Sequence, residues 1–163
     1  MSAETKAAGL RQLEAAWAEI SDVLSSILPE EMEAPGVVDS WSVKDLVGHM
    51  AFWTGKAADD LKKAAAGRAA DIEGPGSAEI GDEWNKREAD SRKGRSLADV
   101  RAELDSGFRE AQEALQGISP ETLDLEAVGW TVFVRFGADT FMHYREHAEQ
   151  IRAWQRQLET TEA

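Results

Sequence analysis

From Leu97 to Leu115, apolar side chains fall at Leu97, Val100, Leu104, Phe108, Ala111 and Leu115, in steps of three and four without a miss. A helix of 3.6 residues per turn gathers such a set onto one face, whereas a strand gathers every second residue. Ser96 stands before the stripe as a helix cap and Gly117 closes it. A helix with one apolar face must pack that face against a partner, so the rest of the chain has to supply one.

The same period recurs in other segments. Between about Glu4 and Leu28, the stripe is Leu10, Leu13, Trp17, Ile20, Leu24 and Ile27, and Pro29 ends it. Pro35-Gly36 then marks a turn. Ser42-Val43-Lys44-Asp45 is a variant capping box that opens a second helix running to about Gly67. Its buried face is Val43, Leu46, Val47, Met50, Trp53, Ala57 and Leu61. The last helix covers about Ala138 to Leu158, with Ile151, Trp154 and Leu158 along one line.

Between these segments, 71–81 reads as a loop around Gly74-Pro75-Gly76, and Glu83 to Arg92 as a short helix carrying Trp84. Ser119-Pro120-Glu121 reads as a cap with proline at the first helical position. The apolar run Trp130 to Val134 lacks a partner strand and is assigned to a loop, 129–137, leading into the last helix. The expectation is an all-α four-helix bundle, residues 1–163 as a single domain. Long connections between helices 2–3 (67–82) and 3–4 (117–137) argue against a simple series of hairpins.

Composition narrows the function. Lys+Arg of 18 against Asp+Glu of 31 gives a net charge of −13, which repels a phosphate backbone, so no nucleic-acid partner is expected. The mixed cluster Lys86-Arg87 with Arg92-Lys93-Gly94-Arg95 is interrupted by acids and reads as a solvated loop. No apolar run reaches the length of a membrane span, and the N-terminus lacks the apolar core of a signal peptide. The chain has no cysteine, hence no thiolate of its own for nucleophilic attack or metal binding. A cytoplasmic protein without membrane contact is the expectation.

Of the three histidines, His143 and His147 are four residues apart. On a helix they lie one above the other, where two imidazoles can reach one ion. His49 lies beside the buried face of the second helix. If the two helices face one another there, the three rings converge and leave an open coordination position, as in catalytic zinc sites. Imidazole also suits nickel and iron(II), so the ligand set does not choose the metal. The plainer reading is three histidines that are hydrogen-bonded or solvated separately.

Two motifs carry a resemblance. Trp41-Ser42-Val43-Lys44-Asp45-Leu46-Val47-Gly48-His49-Met50-Ala51-Phe52-Trp53 resembles the second-helix signature of the DinB-like superfamily, and His143-Tyr144-Arg145-Glu146-His147-Ala148-Glu149-Gln150-Ile151 its last-helix signature. The resemblance follows helix order across the chain, including an Asn85-containing segment before the third helix. It implies a four-helix bundle, often a homodimer, with a divalent metal on His49, His143 and His147. The ion expected is zinc or nickel, with iron a further option. Relatives include thiol S-transferases that use bacillithiol and mycothiol-dependent maleylpyruvate isomerase.

The expected function is therefore a divalent-metal-binding protein acting on a small molecule. A low-molecular-weight thiol would be its co-substrate, and thiol transfer is preferred to hydrolysis on the resemblance alone. Whether the chain is an enzyme stays open; the alternative is a non-catalytic bundle that holds a ligand or metal. Asp45, Asp139 and Glu146 are candidates to orient the imidazoles, although Asp45 fits a cap better. Trp53, Tyr144 and Trp130 could wall a pocket, but core packing is the simpler role.

Overall fold

The computed structural model describes residues 1–162. Its main helices are α1 (Ala3–Ser25), α2 (Val43–Ala65), α4 (Leu97–Gly117) and α7 (Phe141–Glu162). Between α2 and α4 lies α3 (Ala78–Arg92); between α4 and α7 come α5 (Pro120–Leu123), strands β1 (Glu126–Ala127) and β2 (Trp130–Thr131), and α6 (Val132–Asp139). The most extensive packing is α2 on α4, followed by α1 on α7; α1 on α4 and α2 on α7 close the ring. This is the expected all-α bundle.

Local chemistry explains the starts. Ser42 Oγ accepts from Asp45 N at 3.2 Å, and Asp45 Oδ2 accepts from Ser42 N at 2.9 Å, so two otherwise orphaned donors are satisfied together. Ser2, Ser77, Ser96, Ser119 and Thr131 cap their helices with the first half of that arrangement, each side-chain oxygen accepting from a backbone N–H of the first turn. The expected stripes form the core: Leu13, Ile20, Leu46, Met50, Leu104 and Leu115 are fully buried. α2 and α4 pack closely at Gly107, where an added Cβ would stand in ordinary van der Waals contact, 3.4 Å from Thr54 Cγ2 and 3.5 Å from the Gly55 nitrogen.

Several expectations are corrected. The loop assigned to 129–137 is a hairpin strand followed by a two-turn helix. The missing partner strand is Glu126–Ala127, paired antiparallel with Trp130–Thr131. Val128 and Gly129 form the two-residue turn, both at positive φ, 52° and 80°. Thr131 Oγ1 then accepts from Val134 N at 3.2 Å and starts α6. A break at Thr140 separates α6 from α7: its hydroxyl donates to the Phe136 carbonyl at 2.6 Å, and its backbone leaves the helical region. Gly137 is required beside that break, since a Cβ would come within 2.6 Å of the Phe141 ring.

The short helix expected from Glu83 to Arg92 is also longer, since α3 spans Ala78–Arg92. Ser77 caps it, and it begins within the segment read as loop. It has no buried residue, which is why apolar periodicity missed its first turns. Leu158, expected to continue the apolar line of the last helix, is 36% exposed. Among the described residues, no helix is long and apolar enough to cross a membrane.

Candidate metal centre

His49 projects from α2, and His143 and His147 from the first turns of α7. Their Nε2 atoms converge: His143 Nε2 is 2.8 Å from His49 Nε2 and 2.8 Å from His147 Nε2. His49 and His147 are buried and His143 partly so. The structure thus brings together all three histidines singled out in the sequence.

The chemistry of that contact favours a cation. A neutral imidazole Nε2 has one in-plane site, which holds either a proton or a lone pair. His143 Nε2 can therefore hydrogen-bond one of its two neighbours, leaving the other contact unmet. A positive ion between the rings would instead engage all three lone pairs. Desolvation by burial, and then the neighbouring His147, push the His49 pKa down to about 3. Burial also lowers His143 well below its ordinary value, with further lowering from the other two rings. His147 is lowered by burial, against the opposing effects of its hydrogen bond to Gln150 and the charge of Glu146. All three rings are neutral near pH 7, the state that ligation requires.

Gln150, one turn beyond His147, fixes a tautomer. His147 Nδ1–H donates to Gln150 Oε1 at 2.7 Å, which leaves the Nε2 lone pair facing the other rings. The His143 Nδ1 is buried with no hydrogen-bond partner among the described residues. The Asp139 carbonyl, one turn back, lies on that side and favours a proton there. Trp41 packs edge-on against His49, with ring centroids 5.2 Å apart. It is held by a tight turn in which the Trp41 carbonyl accepts from Val37 N at 2.9 Å.

The other candidates divide. Asp45 is occupied in the cap of α2, although it also lines the cavity above the histidines. Glu146 lies at the cavity and acts on His147 through its charge. The Asp139 side chain turns away, into a small void of about 10 Å³ with Asp60 and Arg135. Tyr144 is core: it is fully buried, with its hydroxyl 2.7 Å from Thr54 Oγ1. Trp130 is 53% exposed on the hairpin and walls nothing near the site. Trp53 ties α3 to α2 by donating to Asn85 Oδ1 at 2.9 Å and stacking on Trp84.

Over His49 and His147 lies an open cavity of about 740 Å³. The loop 38–41, the start of α2, one face of α3 and the Glu146–Gln150 turn of α7 line it. Sequence reasoning missed Gln150 and Trp41 as partners of the histidines. Both sit inside the two quoted motifs, so proximity to a histidine was the one available signal.

Fold and site together define a class: an all-α bundle with a buried three-histidine cluster under an open cavity. A family profile described as the mycothiol maleylpyruvate isomerase N-terminal domain matches residues 13–148, and the chain belongs to that family, a DinB-like helical domain. The match includes all three histidines. The family is metal-associated, and the cluster could bind a metal. The crystal structure of an uncharacterised protein from Escherichia coli UTI89 is similar over 94% of both chains, with a TM-score of 0.82 and 18% identity, which shows a shared fold. No curated protein matches the chain.

Proposed function

We propose that residues 1–163 form one domain in which His49, His143 and His147 hold a divalent metal ion through Nε2, and that this centre serves a metal-dependent enzyme. Zinc and nickel suit the donor set best, and iron(II) is also compatible. The observation that carries the reading is the convergence of three neutral Nε2 atoms that hydrogen bonding among themselves cannot satisfy. Bound there, a divalent ion would lower the pKa of a thiol or water at its open position.

The residues supply the rest. Burial keeps the imidazoles unprotonated, Gln150 aims His147, and Trp41 shields the His49 edge from solvent. The cavity volume of about 740 Å³ is within the range of small-molecule sites. Since the chain has no cysteine, a thiol chemistry must take its sulfur from a co-substrate. Transfer of a low-molecular-weight thiol to an electrophile is preferred to hydrolysis because the family is named for a mycothiol-dependent protein. That name also carries maleylpyruvate, a dicarboxylate, as the substrate of the namesake. A homodimer belongs to the same proposal and is checked by mass in solution.

Metal analysis of protein purified without added metal tests the centre. The expected result is one equivalent per chain, absent in His143→Ala with helicity retained. No uptake by the wild type after incubation with zinc or nickel would sink it. Turnover of a model electrophile with added low-molecular-weight thiols is expected from the loaded protein and not from His143→Ala; metal uptake without turnover would mark a binding protein instead.

A further inference from the structure

The cavity above the histidines has a charge that the metal reading leaves unused. Its wall carries Asp39, Asp45, Asp82, Asp90 and Glu146 against Lys86 and Lys93, so the balance is 2 − 5 = −3. Both lysines lie against one carboxylate, so the trio keeps a single positive charge: Lys86 Nζ lies 2.7 Å from Asp90 Oδ2, and Lys93 Nζ lies 2.5 Å from Asp90 Oδ1. Asp45 is held in the α2 cap. Among the described residues, Asp39, Asp82 and Glu146 remain as exposed carboxylates without a cationic partner, and no arginine lines the cavity. A divalent ion on the histidines would change the balance to −3 + 2 = −1, still negative.

A cleft lined by one sign of charge concentrates ligands of the opposite sign and repels its own. A dicarboxylate entering here would find no guanidinium to grip it bidentately, and both lysines are already paired. The uncharged hydrogen-bonding groups are of a different kind. Asn85 and Gln150 line the cavity and each has the side-chain oxygen engaged, by Trp53 Nε1 and His147 Nδ1, which leaves their NH2 groups without a partner among the described residues. They suit hydroxyl or carbonyl oxygens of an uncharged or cationic molecule.

We infer that this cavity selects small molecules of neutral or positive charge, taking an amine-bearing ligand over a carboxylate of the same size, with Asp82 and Glu146 as the charge determinants. The inference rests on the proposed metal centre only for where the reacting end of the ligand would lie. It separates this chain from the dicarboxylate chemistry in its family's name.

The test is calorimetric titration with 1,4-diaminobutane and with succinate at low salt. It is run on zinc-loaded protein, on His143→Ala without added metal, and on the zinc-loaded double variant Asp82→Asn/Glu146→Gln. The diamine is expected to bind about tenfold or more tighter than succinate in the first two, and the double variant to narrow that ratio severalfold. Both substituted residues are exposed, so the double variant should keep the wild-type fold, checked by circular dichroism. Succinate binding as well as or better than the diamine, undetectable binding of both, or an unchanged ratio in the double variant overturns the inference. If the wild type takes up no metal but the amine preference persists in His143→Ala, the selectivity stands and the metal centre falls. Metal uptake with succinate preferred gives the reverse.

Discussion

At the scale of single residues, the site depends on keeping three basic rings neutral and aimed. Gln150 does the aiming for His147, and a partner of this kind commonly contributes about 10–100-fold to metal affinity. Gln150→Ala is therefore expected to weaken zinc binding by that order with the fold intact, read by competition with a chelator; unchanged affinity would leave Gln150 without a positioning role. Asp139 behaves oppositely to the histidines. Burial raises its pKa from 3.8 to about 7, against the lowering pull of Arg135 and Lys56. A raised carboxyl stabilises the fold fully below its unfolded value, and that contribution is lost as pH rises through about 7. The lowered histidines favour the fold above about 6.5 and lose that advantage as pH falls. Only a difference measurement separates the two. Relative to wild type, Asp139→Asn should gain on the order of 2–4 kcal/mol between pH 4 and 8 in denaturant titrations, and a flat difference would refute the assignment. The histidines were legible because they are few and spaced for a helix. Gln150 was not, since a glutamine on a helix face carries no signal until its partner is placed.

At the scale of elements, the amphipathic helices could be read from the sequence because each has an apolar stripe and a hydroxyl cap. The hairpin and α6 could not, for a physical reason. Its two-residue turn needs positive φ at both positions, and Val128 occupies the first at 52°. A β-branched residue there is strained, so the usual Asn-Gly or Asp-Gly signal is missing. Val128 is 46% exposed and loses little packing on replacement. Val128→Asn is expected to stabilise the protein by about 1 kcal/mol, measured by thermal and urea unfolding. A loss of stability would show that the valine side chain holds the hairpin. The break at Thr140 was equally hidden: no proline marks it, and the close approach of the Phe141 ring to Gly137 beside it leaves no signal in the sequence. It sets where α7 begins, and hence how His143 and His147 meet His49.

At the scale of the whole molecule, the centre joins α2 to α7 across the bundle, so an ion bound there should oppose unfolding. A ligand at about 100 times its Kd adds about 2.7 kcal/mol, or roughly 5–10 °C in Tm for a chain of this size. Zinc is expected to raise Tm by that order in the wild type, reversibly with chelator, and to leave His143→Ala unmoved. The family and fold agree with the resemblance carried by the two motifs. They could be read because the motifs lie on two of the four helices that build the core. The cavity wall could not, because α3 has no buried residue and so leaves no periodic trace. Substitutions at exposed helix positions of this kind usually change stability by less than about 0.5 kcal/mol. In evolutionary terms, the face of α3 that meets incoming molecules can drift almost independently of the fold that holds the histidines. Paralogues could therefore shift from one clientele towards another largely through changes on α3, while inheriting the same bundle.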